Sequence, residues 1–319
     1  MNEFTENLFQ KLQDKGLSES SIKLYIRNLE KLNEGELKNL KFLSKKESIL
    51  EKLNKYKDNT KRGFLISIVS VLGCCPEDKK LLKIKNEYYS LMVNKSKEIK
   101  GKETTELTDE QKKNWVSWDE ILETFKKLEE EVNKFKDNKV ISDKDYNLLL
   151  GYTILACYIY NSPRRNKDYQ KMNIVKIDNE KLPKDINYYL YDDNKFVFNK
   201  YKTEKTYGKQ EIPVSDNLKN VFDIYIKFHP HLKGRVKKNK LVKSVNTPFF
   251  VYQDGTELSS INSITRILNK VLGNKKMGSS ALRHIFLSNK YKDVSNAMKE
   301  DATLMAHSTP QQQQYIKEI

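Results

Sequence analysis

Cysteine is scarce in this chain: its 319 residues include three, Cys74, Cys75 and Cys157. Adjacent Cys74 and Cys75 cannot readily bridge to each other, and no Cys/His spacing resembles a zinc site. Long apolar runs are missing too, so no bilayer-spanning segment is expected. The opening MNEFTENLFQ contains acidic residues and lacks the apolar core of a signal peptide. No internal repeat is visible. These absences predict a reduced, intracellular, soluble protein with no membrane partner.

Positive charge is what the chain has in excess. Fifty-nine Lys+Arg stand against 43 Asp+Glu, a formal net charge of +16. That surplus suits a polyanion, and nucleic acid before a membrane. A lysine- and asparagine-rich composition also follows from AT-rich coding DNA, and many lysines are simply solvated. Charge alone therefore assigns no partner.

The length allows two domains, and the patterning divides the chain into residues 1–94, a linker at 95–114, and residues 115–319. The first part reads as four or five helices. Ser18 suits an N-cap before the stripe Ile22, Tyr25, Ile26, Leu29, Leu32. Residues 48–56 form a shorter amphipathic piece, Asn59 or Thr60 caps an apolar helix from Phe64 to Leu72, and Gly73 and Pro76 end it. A further helix spans Leu81 to Met92. Residues 95–113, KSKEIKGKETTELTDEQKK, have almost nothing to bury and read as a linker, long enough to let two domains close around a duplex.

In the last part, Ser117 caps a helix carrying Ile121, Leu122, Phe125 and Leu128, and Asp143 opens an apolar helix ending near Tyr160. Strand-like runs follow at 188–191, 196–199 and 210–214, with a polar, lysine-rich hairpin tip, YKTEKTYGK, between the last two. Residues 249–252 read as another short strand ended by Asp254-Gly255, and the chain after Ser259 reads as helical. The fold expected is mainly α, with a small antiparallel sheet in the second domain.

Four separated pieces carry side chains suited to phosphoryl chemistry. They are Pro163-Arg164-Arg165-Asn166-Lys167-Asp168-Tyr169, Tyr201-Lys202-Thr203, Ser280-Ala281-Leu282-Arg283-His284, and Met305-Ala306-His307-Ser308 shortly before Tyr315. Arginine holds phosphate oxygens with a planar fork of donors. Histidine donates a hydrogen bond or carries a proton, and tyrosine can form a covalent phosphoryl intermediate. In this order the pieces resemble the tyrosine recombinase (phage integrase) family, whose catalytic set runs Arg, Lys, His, Arg, His or Trp, Tyr. The openings Leu17-Ser18-Glu19-Ser20-Ser21-Ile22-Lys23-Leu24-Tyr25 and Asn59-Thr60-Lys61-Arg62 resemble two helices of that family's core-binding domain. The polar, lysine-rich style resembles integrase-type members of giant viruses and virophages.

The resemblance implies a helical, SAM-like core-binding domain followed by an α+β catalytic domain. It implies Tyr315 as nucleophile, with Arg165, Arg283 and His307 on the scissile phosphate and Lys202 as general acid. Arg165 is preferred to Arg164 because it places Asp168, Tyr169 and Met172 in step with the family pattern. Arg164 is left to contact backbone phosphate or form a structural ion pair. Lys200, Lys205 and Lys209 compete with Lys202 at the same tip. Expected DNA-backbone contacts are Arg164, Lys200, Lys205, Lys61 and Arg62.

Two departures stand out. Ser280 occupies the usual histidine position, where it can hydrogen-bond a phosphate oxygen but cannot carry a proton at neutral pH. His307 and Tyr315 are eight residues apart, about one fewer than the family spacing. His284 would point about a hundred degrees away from Arg283 on a helix and reads as structural, packing or bonding behind the site.

The implied activity is cleavage and rejoining of double-stranded DNA without ATP, metal, cofactor or small-molecule substrate, with self-assembly on DNA as dimer to tetramer. A type IB topoisomerase is the alternative of the same chemistry. A non-catalytic, sequence-specific DNA-binding protein derived from a recombinase is the alternative of another class.

Overall fold

The computed structural model describes residues 2–74, 79–102, 107–176, 182–273, 275 and 277–305. The chain divides into two compact units, Met1–Leu107 and Thr108–Ile319. No helix among the described residues is long and apolar enough to cross a membrane.

The first unit contains α1 (Glu3–Asp14), α2 (Glu19–Asn33), α3 (Lys46–Asn54), α4 (Asp58–Leu72) and α5 (Lys79–Gly101). Ser18 caps α2 as expected, accepting from Ser21 N, and Ile22, Ile26, Leu29 and Leu32 are buried along one stripe. They pack with Leu12, Ile68, Val71 and Tyr88 in one core. Tyr88 is buried whole because its hydroxyl donates to Leu43 O at 2.8 Å.

Two expectations change in this unit. α4 begins at Asp58, six residues before Phe64 and without a side-chain cap, so neither Asn59 nor Thr60 caps it. Asp58 instead places a carboxylate at the positive end of the helix and meets Lys95 at 3.5 Å and Lys102 at 3.3 Å. Lys95 lies on α5 and Lys102 just past its end, which is the second change: α5 runs through Gly101, into the stretch expected to be linker. Lysine and glutamate are good helix formers, so a polar segment with little to bury can still extend a helix. Pro76 lies outside the described residues.

The second unit opens with α6 (Asp109–Asn114), also within the expected linker, then α7 (Trp118–Asn133) and α8 (Asp143–Ile159). Each starts with a reciprocal capping box, Thr108/Gln111, Ser117/Glu120 and Ser142/Asp145. On α7 Ile121, Phe125 and Val132 are buried, whereas Leu122 is exposed. α8 is buried on nearly every side, as its continuous apolar sequence requires.

The remaining elements are α9 (Asn166–Gln170), β1 (Met172–Lys176), β2 (Asn187–Leu190), β3 (Lys195–Phe198), α10 (Glu204–Tyr207), β4 (Gln210–Pro213), α11 (Asp216–Phe228), β5 (Val236–Lys237), β6 (Lys240–Leu241), β7 (Val245–Pro248), α12 (Ser263–Val271), α13 (Ser279–Lys290) and α14 (Lys292–Leu304). The main sheet has the order β4-β3-β2-β1-β7. β1 pairs with β2 in parallel, Ile174 opposite Tyr189, and every other pairing is antiparallel. The sheet is therefore mixed. β1 is a strand that the sequence pattern did not predict.

Two local corrections follow. The lysine-rich tip between β3 and β4 contains a one-turn helix, α10. The strand expected at 249–252 ends early: β7 stops at Pro248, and only Val251 makes an isolated bridge, to Glu257. Phe249, Phe250 and Val251 are buried all the same, since core burial does not require a ladder. Phe249 packs with Tyr189 and Phe222, centroids 5.2 and 4.9 Å away, under the sheet.

Candidate functional site

α9 is short, but three parts of the expected site meet around it. The chain leaves α8 at Tyr160, passes Pro163, and enters α9 with Arg165 at the N-cap. Asn166, 9% exposed, holds the turn in place. Tyr158 Oη donates to Asn166 Oδ1 at 2.6 Å, and Asn166 Nδ2 donates to Thr265 Oγ1 of α12 at 2.8 Å. The Asn166 backbone N–H reaches Ser279 Oγ, the first residue of α13, at 3.4 Å. The Arg164-Arg165 turn and the Ser280/Arg283 helix are thus adjacent.

The two arginines differ sharply. Arg164 Nε donates to Asp168 Oδ2 at 3.0 Å and Nη1 to Gln210 Oε1 at 2.7 Å. Its guanidinium lies over Phe198 at 3.8 Å and near Tyr201 at 5.0 Å. Asp168 is 2% exposed. Burial pushes its carboxyl above the usual range, and Arg164 opposes that rise. Arg164 is therefore the structural member of the pair. Arg165 is half-buried and makes no side-chain hydrogen bond or ion pair among the described residues, so its donors are available to a ligand.

A second buried asparagine joins the arginine turn to the lysine turn. Asn187 Nδ2 donates to Asp168 O at 2.8 Å and Lys200 O at 2.9 Å. Its Oδ1 accepts from Asn199 N at 2.9 Å and Lys200 N at 2.8 Å. All the polar atoms of one side chain are spent on fixing backbone. Beyond this knot, Lys200 pairs with Glu204 at 2.5 Å and Lys209 pairs with Glu211. Hydrogen bonds from Lys195 and Lys209 hold the Glu211 carboxyl down to about 2. Lys202 and Lys205 are exposed and form no ion pair among the described residues. Of the competing lysines, these two keep a free ammonium.

On α13, Arg283 Nη2 donates to Ser280 Oγ at 3.1 Å, and Nε donates to Ser279 O at 3.1 Å. The serine at the expected histidine position thus steadies the arginine three residues on. His284 is exposed, which corrects the reading of it as packed or bonded behind the site. Lys61 and Arg62 lie near the start of α4 in the first unit, with Arg62 exposed. His307, Ser308 and Tyr315 lie outside the described residues.

Asn166, Asn187 and Ser279 were not singled out in the sequence. Most of their partners are far along the chain, and an asparagine or serine at the first position of a helix or strand carries no local sign of such a role. No protein-family model, curated protein or solved structure matches this chain.

Proposed function

We propose that this protein is a DNA strand transferase of the tyrosine recombinase type. Tyr315 Oη gives up its proton to solvent and attacks the scissile phosphorus, forming a P–O bond as the bond to the 5′-oxygen breaks, and leaves a 3′-phosphotyrosyl enzyme. Arg165 and Arg283 offset charge on the non-bridging oxygens, an arrangement that stabilises the transition state electrostatically. His307 donates a hydrogen bond to the same phosphate. Lys202 protonates the departing 5′-oxygen. A 5′-hydroxyl then attacks the phosphotyrosine, so bond energy is retained and ATP is not needed.

The observation that carries this reading is the meeting of three sequence-distant pieces at α9, through Asn166–Ser279 and Asn187–Asp168. With it goes an Arg165 that is unpaired among the described residues, beside an Arg164 held by Asp168 and Gln210. Ser280 supports Arg283 here and carries no proton, which leaves Lys202 and His307 to handle protons.

The test is adduct trapping on a library of duplexes nicked to lose the 5′-hydroxyl fragment. Wild-type protein should accumulate covalent DNA adduct, and Tyr315→Phe should not. A wild type that forms no adduct on any member would leave only a DNA-binding role. Adduct formation together with supercoil relaxation and no partner exchange would mark a topoisomerase instead.

A further inference from the structure

β5 and β6 form a small antiparallel hairpin with Val236 opposite Leu241 and Lys237 opposite Lys240. Lys238 and Asn239 join them, both left-handed, with φ of 48° and 60°. Two left-handed residues make a type I′ turn, which favours asparagine and glycine. A lysine is a poor choice at the first of those positions. Like charges placed directly opposite across a ladder also destabilise it. The fold gains nothing from either feature.

The surroundings are basic too. Lys233, Arg235, Lys237, Lys238, Lys240 and Lys243 are all exposed, and no acidic residue occurs from His231 to Ser244. Arg235 Nη1 donates to Ser244 O at 2.6 Å, and none of the six forms an ion pair among the described residues. The hairpin is nonetheless held firmly. Leu241 is buried and its N–H donates to Tyr191 Oη at 3.2 Å, while Val242 N donates to Arg235 O at 2.9 Å. A cation cluster on an anchored scaffold loses little freedom when it binds.

We infer that this hairpin is a separate contact for the phosphate backbone of duplex DNA, contributing affinity and not chemistry. The inference rests on the DNA reading above. A membrane surface is the poorer partner, because Val242 is the one exposed large apolar side chain on the hairpin and interfacial binding needs buried apolar area.

The experiment measures affinity of full-length protein for a random-sequence duplex across a potassium chloride series. The triple variant Lys237→Gln/Lys238→Asn/Lys240→Gln is compared with wild type. Lys238→Asn eases the left-handed turn, so the hairpin is retained. Three lost phosphate contacts should flatten the slope of log K against log salt by about 2.7, at about 0.9 per contact. Lys240→Gln alone, with the turn untouched, should remove about a third of that. Equal slopes in wild type and variants would overturn the inference. So would a loss confined to vesicles of phosphatidylcholine with phosphatidylserine. Adduct trapping, scored separately, reports on the strand-transfer reading, so wild type that binds DNA without forming adduct sinks that reading while the slopes still judge the hairpin.

Discussion

Arg164 and Asp168 form an ion pair four residues apart at the mouth of α9, with the guanidinium pressed on the Phe198 ring at 3.8 Å. One oxygen of that carboxylate, Oδ1, is buried without a hydrogen-bond partner among the described residues. Through Gln210 and Phe198 the pair ties α9 to the β3–β4 end of the sheet. Its neighbour Arg165 makes no side-chain hydrogen bond or ion pair among the described residues.

Separating the two arginines by mutation follows directly. Arg164→Ala strands the buried Asp168 carboxylate and should destabilise the protein by about 3–5 kcal/mol, as loss of one partner of a buried pair does. Arg165→Ala should leave urea unfolding nearly unchanged and lower the rate of adduct formation about 10²–10³-fold. The reverse pattern would transfer the catalytic role to Arg164.

Asn187→Ala should cost stability and slow cleavage together, since it frees both Asp168 O and the Lys200 turn. Asn187→Asp is the sharper variant. It keeps the acceptor for Asn199 and Lys200 but loses both donated bonds, and should impair cleavage by about 10-fold with unaltered DNA affinity. An equal loss of DNA affinity would show that the asparagine only supports binding.

His229 gives a pH-dependent term. It is buried, its Nδ1 accepts from His231 N, and Nε2 donates toward Pro248 O and Phe249 O at 3.1 and 3.0 Å. Burial pushes its pKa down to about 4 from 6.5. Between those values the unfolded chain takes up a proton that the folded protein refuses. Stability should therefore fall as pH drops from 6.5 to 4, by on the order of 3 kcal/mol. Urea titrations across that range should show the fall in wild type and its absence in His229→Asn.

Gly151 sits where α8 approaches α12, and an added Cβ would lie 2.7 Å from Val271 Cγ2. Alanine ordinarily favours a helix by about 1 kcal/mol over glycine. Here overpacking, typically about 1–3 kcal/mol, should outweigh it, and Gly151→Ala should lower Tm. A raised Tm would mean that Val271 moves aside without cost.

Much of the helical architecture was legible because its causes are local. Ser18 and Ser117 cap the helices they were expected to cap, and β2, β3 and β4 lie within a residue or so of their apolar runs. α5 runs past the expected linker boundary because charged helix formers continue the helix to Gly101 with little to bury. β1 carries three apolar residues, Met172, Ile174 and Val175, too few to mark a strand alone, and its parallel pairing with β2 is a long-range choice.

By itself the sequence determined where α2 and α7 start, most of the residues on their buried stripes, and the order in which arginine, lysine, serine, histidine and tyrosine appear. The family resemblance favoured Arg165 and left two roles open for Arg164, a contact to backbone phosphate or a structural ion pair. Tertiary structure decided that, because the partners that engage Arg164 include Phe198, Tyr201 and Gln210 from other elements. The same holds for Asn166, Asn187 and Ser279. A buried amide becomes a structural knot only when folding removes water from it and offers donors and acceptors from distant parts of the chain.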